Sequence, residues 1–225
     1  MEKLIISDVH LRSERCNAKA LLKMLKASSY KELIIVGDLS EKEGKFSDDQ
    51  FRVVDYLFKN KEKVTCIYGN HDRHDKTIVA GILGKRMLKE YEWPMGKKRC
   101  LAIHGHNLDW VHRIFEEPLI DKAFYDFLWL FKKINFAGFN AVKWHDSLHD
   151  GFSDSVAQKA MKYAKKKGID VIICGHTHKP LHRTCQGKNG KEIHYFNSGG
   201  WIKGLCASYI TIDEYGNVKL HSMAP

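Results

Sequence analysis

Ten side chains in this sequence could bind a cation or move a proton, and they come in five short groups: Asp8-Val9-His10, Gly37-Asp38, Gly69-Asn70-His71-Asp72, His104-Gly105-His106 and Gly175-His176-Thr177-His178. Every one offers oxygen or nitrogen, and no thiolate is among them. Asp, Asn and His together suit Mn²⁺, Fe²⁺, Zn²⁺ or Ni²⁺ better than Ca²⁺ or a soft-metal site. Such donors exceed what one tetrahedral ion needs, so the set predicts two metals. Any single group is weak evidence. A lone Gly-Asp is a common accident, and a lone histidine such as His104 is more often a hydrogen-bonded core residue.

What strengthens the set is what precedes each group. Leu4-Ile5-Ile6, Leu33-Ile34-Ile35-Val36, Val64-Thr65-Cys66-Ile67-Tyr68, Leu101-Ala102-Ile103 and Val171-Ile172-Ile173-Cys174 are short apolar runs of the kind that form buried strands. In an α/β sheet, ligands gather outside the carboxyl ends of the strands. Five strand ends therefore predict one shared site. Between the runs lie helical patterns. Ala18, Leu21, Leu22 and Leu25 share one face. Ser47 and Gln50 have capping-box spacing ahead of a stripe of Phe51, Val54, Leu57 and Phe58. Ser153 is expected to cap a helix bearing Val156, Ala157, Ala160, Met161 and Ala164 and closed by Gly168. The tail reads as β at 194–196, 206–212 and 218–220. Strands alternating with helices, then a β-rich end, predict an α/β sandwich of two sheets in a single domain over 1–225.

One stretch departs from this grammar. From Trp110 to Trp144 the chain is crowded with aromatics, among them Phe115, Phe124, Trp129 and Phe139. We expect a helical insertion over 110–150, acting as a lid, with Gly138 and Gly151 as breaks. Most of its rings must pack internally, and surplus apolar surface would face an acyl chain or a bilayer. Asp126, Lys132 and Lys133 make it a poor membrane span.

The formal net charge of +10 favours an anionic partner. Basic charge alone does not point to nucleic acid, because no aromatic and basic stripe on a recognised fold accompanies it. The six cysteines form no Cys-x-x-Cys pair. A reducing, cytoplasmic compartment without a disulfide framework is expected, as is the absence of a signal peptide at Met1-Glu2-Lys3.

The ordered set of groups resembles the calcineurin-like metallophosphoesterase superfamily, from Asp8 to Asn197-Ser198-Gly199-Gly200-Trp201. That resemblance implies a four-layer αββα sandwich and an enzyme that hydrolyses phosphoric esters or pyrophosphates. It implies that Asp8, His10 and His178 hold one divalent ion, that Asn70, His104 and His176 hold a second, and that Asp38 bridges them, with Mn²⁺ the expected metal. It further implies a bridging hydroxide as nucleophile, His71 as transition-state stabiliser or acid, and Asp72 orienting its ring. His106 is expected behind the ligands. Within the superfamily the chain is most similar to UDP-2,3-diacylglucosamine pyrophosphohydrolases, through Ile6-Ser7-Asp8-Val9-His10-Leu11, His104-Gly105-His106-Asn107-Leu108-Asp109 and the helical insertion. On that likeness Arg12, Asp109, Arg113, Asn140 and Lys143 are expected to contact substrate. A nucleotide-linked or lipid-linked phosphoester, met at the inner face of a membrane, is the implied substrate. His106 stands where that group usually has aspartate, and His71 where its best-known members carry arginine. A phosphodiesterase or phosphatase acting on nucleotides or phosphoproteins is the alternative. A metal-free scaffold, which some members of the fold have become, has no need of the intact donor set.

Overall fold

The computed structural model describes residues 1–41, 43–72, 83–84, 86–108 and 141–223, with the backbone alone described over 141–149 and at 189. Its strands are β1 (Lys3–Ile6), β2 (Glu32–Val36), β3 (Val64–Ile67), β4 (Glu90–Met95), β5 (Lys98–Ile103), β6 (Val171–Cys174), β7 (Pro180–Gln186), β8 (Glu192–Ser198), β9 (Ser208–Ile212) and β10 (Val218–Ser222). The helices are α1 (Ala18–Ala27), α2 (Asp48–Lys59) and α3 (Ala141–Lys167). Two five-stranded sheets form, in the orders β10-β9-β1-β2-β3 and β4-β5-β6-β8-β7. In each, three adjacent strands run parallel: β1-β2-β3 in one and β5-β6-β8 in the other.

Parallel strands covered on both faces read as unbroken apolar runs, and here the two faces meet different cores. Leu4 and Ile6 of β1, with Leu33 and Ile35 of β2, pack outward against Leu21 and Leu25 of α1 and Leu57 of α2. Ile5, Ile34 and Ile67 point the other way, between the sheets, where Val171, Ile173 and Phe196 meet them. On the far side Leu101, Ile172 and Tyr195 receive Ala157, Ala160 and Ala164 of α3. The layers are therefore helix, sheet, sheet, helix. Each fully buried aliphatic side chain contributes roughly 1.5–3 kcal/mol.

Two helices differ from their sequence patterns. In α2 the buried positions are Gln50, Val53 and Leu57, while Phe51 and Phe58 are 56% and 50% exposed. The capping box forms as expected, and it sets the phase. The Gln50 amide donates to Ser47 Oγ, while the Gln50 side chain accepts from the Ser47 amide, accepts from the Arg12 amide and donates to the Ser13 carbonyl. Gln50 is thus pulled inward, and its two aromatic neighbours turn out. In α3, Ser153 is no cap: the helix already runs from Ala141, and Ser153 lies buried within it. Gly151 does not break it. A mid-helix glycine costs about 1 kcal/mol relative to alanine, and packing of the following turns on the second sheet offsets that. The lid expected over 110–150 lies outside the described residues up to 140, and its last ten positions open α3. No helix among the described residues is long and apolar enough to cross a membrane. All six cysteines are free thiols. Burial pushes Cys16 and Cys100 up to about 12, which leaves their thiols un-ionised near neutral pH.

Candidate metal centre

All five predicted strands end at one edge of the sandwich, and the chain turns there under strain. Among the described residues six non-glycine positions have positive φ: Asp8 (52°), His10 (51°), Arg12 (75°), Asp38 (52°), His176 (72°) and His178 (55°). Left-handed backbone costs an L-residue roughly 1–2 kcal/mol. Strain of this kind persists where surrounding structure fixes it, and it collects at functional sites. All six were singled out from the sequence, five as metal ligands.

Glycines let these turns approach one another. A Cβ on Gly69 would sit 2.0 Å from Asp38 Oδ1, and one on Gly175 would sit 2.4 Å from Asp8 Oδ2. Gly69→Ala therefore has to displace the Asp38 carboxylate. Overpacking of this kind costs ~1–3 kcal/mol, or about 2–4 °C of melting temperature per kcal/mol in a chain this size. A Mn²⁺ titration of the variant, run beside a thermal melt, is expected to show at least tenfold weaker binding.

The side chains converge. Asp8, His10, Asp38 and His178 each present a donor atom within 4.8 Å of the others. His178 Nε2 lies 3.2 Å from Asp8 Oδ1 and 3.1 Å from His10 Nε2. Beside them His104 Nε2 lies 3.2 Å from Asp38 Oδ2 and 3.1 Å from Asn70 Oδ1. His104 Nδ1 donates to the Val36 carbonyl at 2.8 Å, which leaves Nε2 as the atom facing inward. The His176 ring stands 5.3 Å from that of His104, and its backbone amide donates to the Asp8 carboxylate at 3.0 and 3.1 Å. His106 is buried behind them, its ring 5.4 Å from His104.

Buried carboxylates facing several imidazole nitrogens fit a divalent cation, and the fit shows in the electrostatics. Burial pushes the Asp8 and Asp38 carboxyls up, but the histidines around them outweigh it, His178 foremost for Asp8 and His104 for Asp38, and hold both below the usual carboxylate range. Burial opposes a charge on His104, yet Asp38 overrides it and raises the imidazole to about 10. At neutral pH a cation must therefore displace a proton from His104. The sign follows: affinity rises with pH as long as pH stays below about 10. Mn²⁺ dissociation constants at pH 6.5, 7.5 and 8.5 are expected to fall by up to about tenfold per unit for this one proton. A flat profile would remove His104 from the ligand set.

His71 sits at the rim, its side chain 38% exposed. Its backbone amide donates to Asp38 Oδ1 at 2.9 Å. The expected partner of its ring was Asp72, and the structure corrects this. Glu41 holds the ring, with Oε2 at 2.7 Å from His71 Nδ1, and its Oε1 lies 2.7 Å from His10 Nδ1. Asp72 is wholly buried and accepts the Ser40 and Gly69 amides at 3.1 and 2.8 Å, bracing the turns after β2 and β3 against each other. Burial, with Asp38 nearby, raises its carboxyl to about 6. Glu41 is the functional candidate that sequence reasoning missed. Burial disfavours its charge, but His10 and His71 hold its carboxyl down at about 2. The available signal was a carboxylate three residues past Asp38 and two past the buried Leu39.

Of the expected substrate contacts, Arg12 bonds the loop after β2. Its Nε donates to the Gly44 carbonyl at 2.9 Å and Nη1 to that of Glu41 at 3.3 Å, with the guanidinium 5.9 Å from the Phe46 ring centroid. These bonds fasten the loop that carries Glu41. Asp109, Arg113 and Asn140 lie outside the described residues, and Lys143 lies in the part of α3 described by backbone alone.

The profile of the calcineurin-like phosphoesterase family matches residues 1–180. Comparison with curated protein sequences finds no match. Among solved structures, an archaeal phosphodiesterase superposes with a TM-score of 0.55 at 15% identity, covering 99% of this chain and 100% of that one. Yfce, a phosphoesterase from E. coli, gives 0.52 at 20% identity over 95% and 88%. Vps29 from Entamoeba histolytica, complexed with Zn²⁺, gives 0.51 at 16% identity over 99% and 98%. At such identities the likeness is one of fold.

Proposed function

This chain belongs to the calcineurin-like phosphoesterase family and is a phosphoester hydrolase, and on that premise we propose that it uses two divalent cations to cleave a pyrophosphate or phosphodiester bond in a nucleotide-linked substrate. The observation that carries this reading is the convergence of Asp8, His10, Asp38 and His178 within 4.8 Å. Asp8, His10 and His178 would hold one ion, Asn70, His104 and His176 the other, with Asp38 between them. Mn²⁺ is the metal we favour. Bound divalent ions neutralise phosphoryl oxygens and lower the pKa of water.

The chain's own residues supply the rest. Asp38 and Asp8 offer buried negative charge where cations gather. The Val36 carbonyl and Glu41 fix the tautomers of His104 and His10, so that each aims Nε2 inward. Glu41 also holds His71 Nδ1, leaving Nε2 as the atom that hands a proton to the leaving oxygen. Burial disfavours the charge this needs, but Glu41 and Asp38 raise the His71 imidazole above its ordinary value.

A UDP-diacylglucosamine-like substrate, met at a membrane surface, fits the motif after β5, the aromatic stretch from Trp110 to Trp144 and the net charge of +10. Histidine rather than arginine at position 71 favours the second reading, a broader nucleotide phosphodiesterase. The deciding experiment is an activity screen of Mn²⁺-loaded protein against UDP-diacylglucosamine, nucleotide pyrophosphates, phosphodiesters and phosphomonoesters. Preference for the lipid-linked substrate supports the first reading, and preference for simple diesters supports the second. Inactivity on all four would refute both.

A further inference from the structure

The Asn197-Ser198-Gly199-Gly200 segment closes the set of motifs singled out in the sequence, yet nothing above gives it a task. We infer that Asn197 is a positioning residue that clamps the turn carrying His176 and His178 from behind. The inference rests on the metal reading of those two histidines.

The turn is costly to hold. His176 and His178 both have positive φ, with Thr177 buried between them. From the front, the Asp8 carboxylate accepts the His176 amide. At the rear lies Asn197, wholly buried near the end of β8 and in register with Cys174 of β6. Its Nδ2 donates to the Gly175 carbonyl at 2.6 Å and approaches Thr177 Oγ1 at 3.1 Å, one residue either side of His176. Tyr195 Oη lies 3.3 Å from the same nitrogen. Oδ1 accepts the Gly199 amide at 2.8 Å, so the side chain is fixed at both ends. The neighbouring Ser198 Oγ bonds the Cys174 carbonyl and Ser7 Oγ, and Ser7 Oγ donates to the Gly199 carbonyl. Asn197 thus has no route to a cation itself, but it fixes the backbone on which one ring, and through Thr177 the next, is aimed. Partners at this remove from a metal typically change affinity 10–100-fold when lost.

Asn197→Asp keeps the acceptor for Gly199 and loses the donor to the turn. Thr177→Val removes one end of the clamp without adding charge. Mn²⁺ binding by electron paramagnetic resonance and the visible spectrum of the Co²⁺-loaded protein are the readouts, with a thermal melt alongside. Wild type should bind Mn²⁺. Asn197→Asp should bind it ~10–100-fold more weakly with an altered Co²⁺ spectrum, and Thr177→Val should shift in the same direction by less. A folded Asn197→Asp with wild-type affinity and spectrum overturns the inference, even if its melting temperature falls. Should that variant fail to fold, Thr177→Val decides, and unchanged binding there overturns the inference too. Absence of Mn²⁺ binding by wild type would instead defeat the metal reading on which this one stands.

Discussion

Asp38→Ala should lower kcat on the order of 10³-fold, because several kcal/mol of charge stabilisation go with it at about 1.4 kcal/mol per factor of ten. Asp38 is the most connected group in the centre. Its Oδ2 lies 3.2 Å from His104 Nε2, 3.9 Å from His71 Nε2 and 4.0 Å from His10 Nε2, while Oδ1 takes the His71 amide. Removing it strips buried imidazoles of their shared counter-charge, and His104 loses what keeps its pKa near 10. Two cations would then face each other without the carboxylate that screens them. Metal content of the purified variant should fall with the rate. Full occupancy together with a mild rate loss would sink the two-cation assignment.

His71→Ala is expected to keep its metal and lose ~10²–10⁴-fold in kcat, the range a positioned acid supplies. The loss should depend on the leaving group. An alkoxide needs the proton, whereas an acidic nitrophenol hardly does, so the variant should suffer far more on the first. The pH profile supplies a second check. The acid works only while protonated, and Glu41 and Asp38 hold His71 above the ordinary histidine value against the pull of burial. In wild type, kcat should decline as pH rises through that raised pKa, and this limb should vanish in the variant. Metal loss, or an equal rate loss whatever the leaving group, would take His71 out of the acid role.

The sandwich and the donors at its edge were legible because parallel strands buried on both faces leave unbroken apolar runs. Ile6, Val36, Ile67, Ile103 and Cys174 each close such a run just before a ligand group. The outermost strands of the second sheet were not legible. β4 carries Glu90, Glu92 and Pro94, and β7 carries His182, Arg183 and Gln186, since an edge strand facing water has no need of an apolar pattern. The phase of α2 was misread because Phe51 and Phe58 look like core until Gln50 is seen to be tied to Arg12 and Ser13. Glu41 was missed for a related reason. A carboxylate in a polar loop looks like any surface charge, and only a chain reversal after Asp38 shows that it reaches two histidines at once.

The centre draws Asp8, His10, Asp38, Asn70 and His71 from turns of the first sheet, and His104, His176 and His178 from turns of the second. During synthesis that division becomes a schedule. Ser7 and Gly199, bonded across the sheets, are 192 residues apart, and a ribosome adding about 5–20 residues per second needs on the order of 10–40 s to travel between them. Until then the nascent chain carries carboxylates and imidazoles with no second wall to close them in, and β1 waits for β9 on one side. Capture of a cation by the full donor set would thereby wait until the second sheet is made. A metal bound there would then act as a rivet between two formed sheets and have little hold on an early, mispaired one.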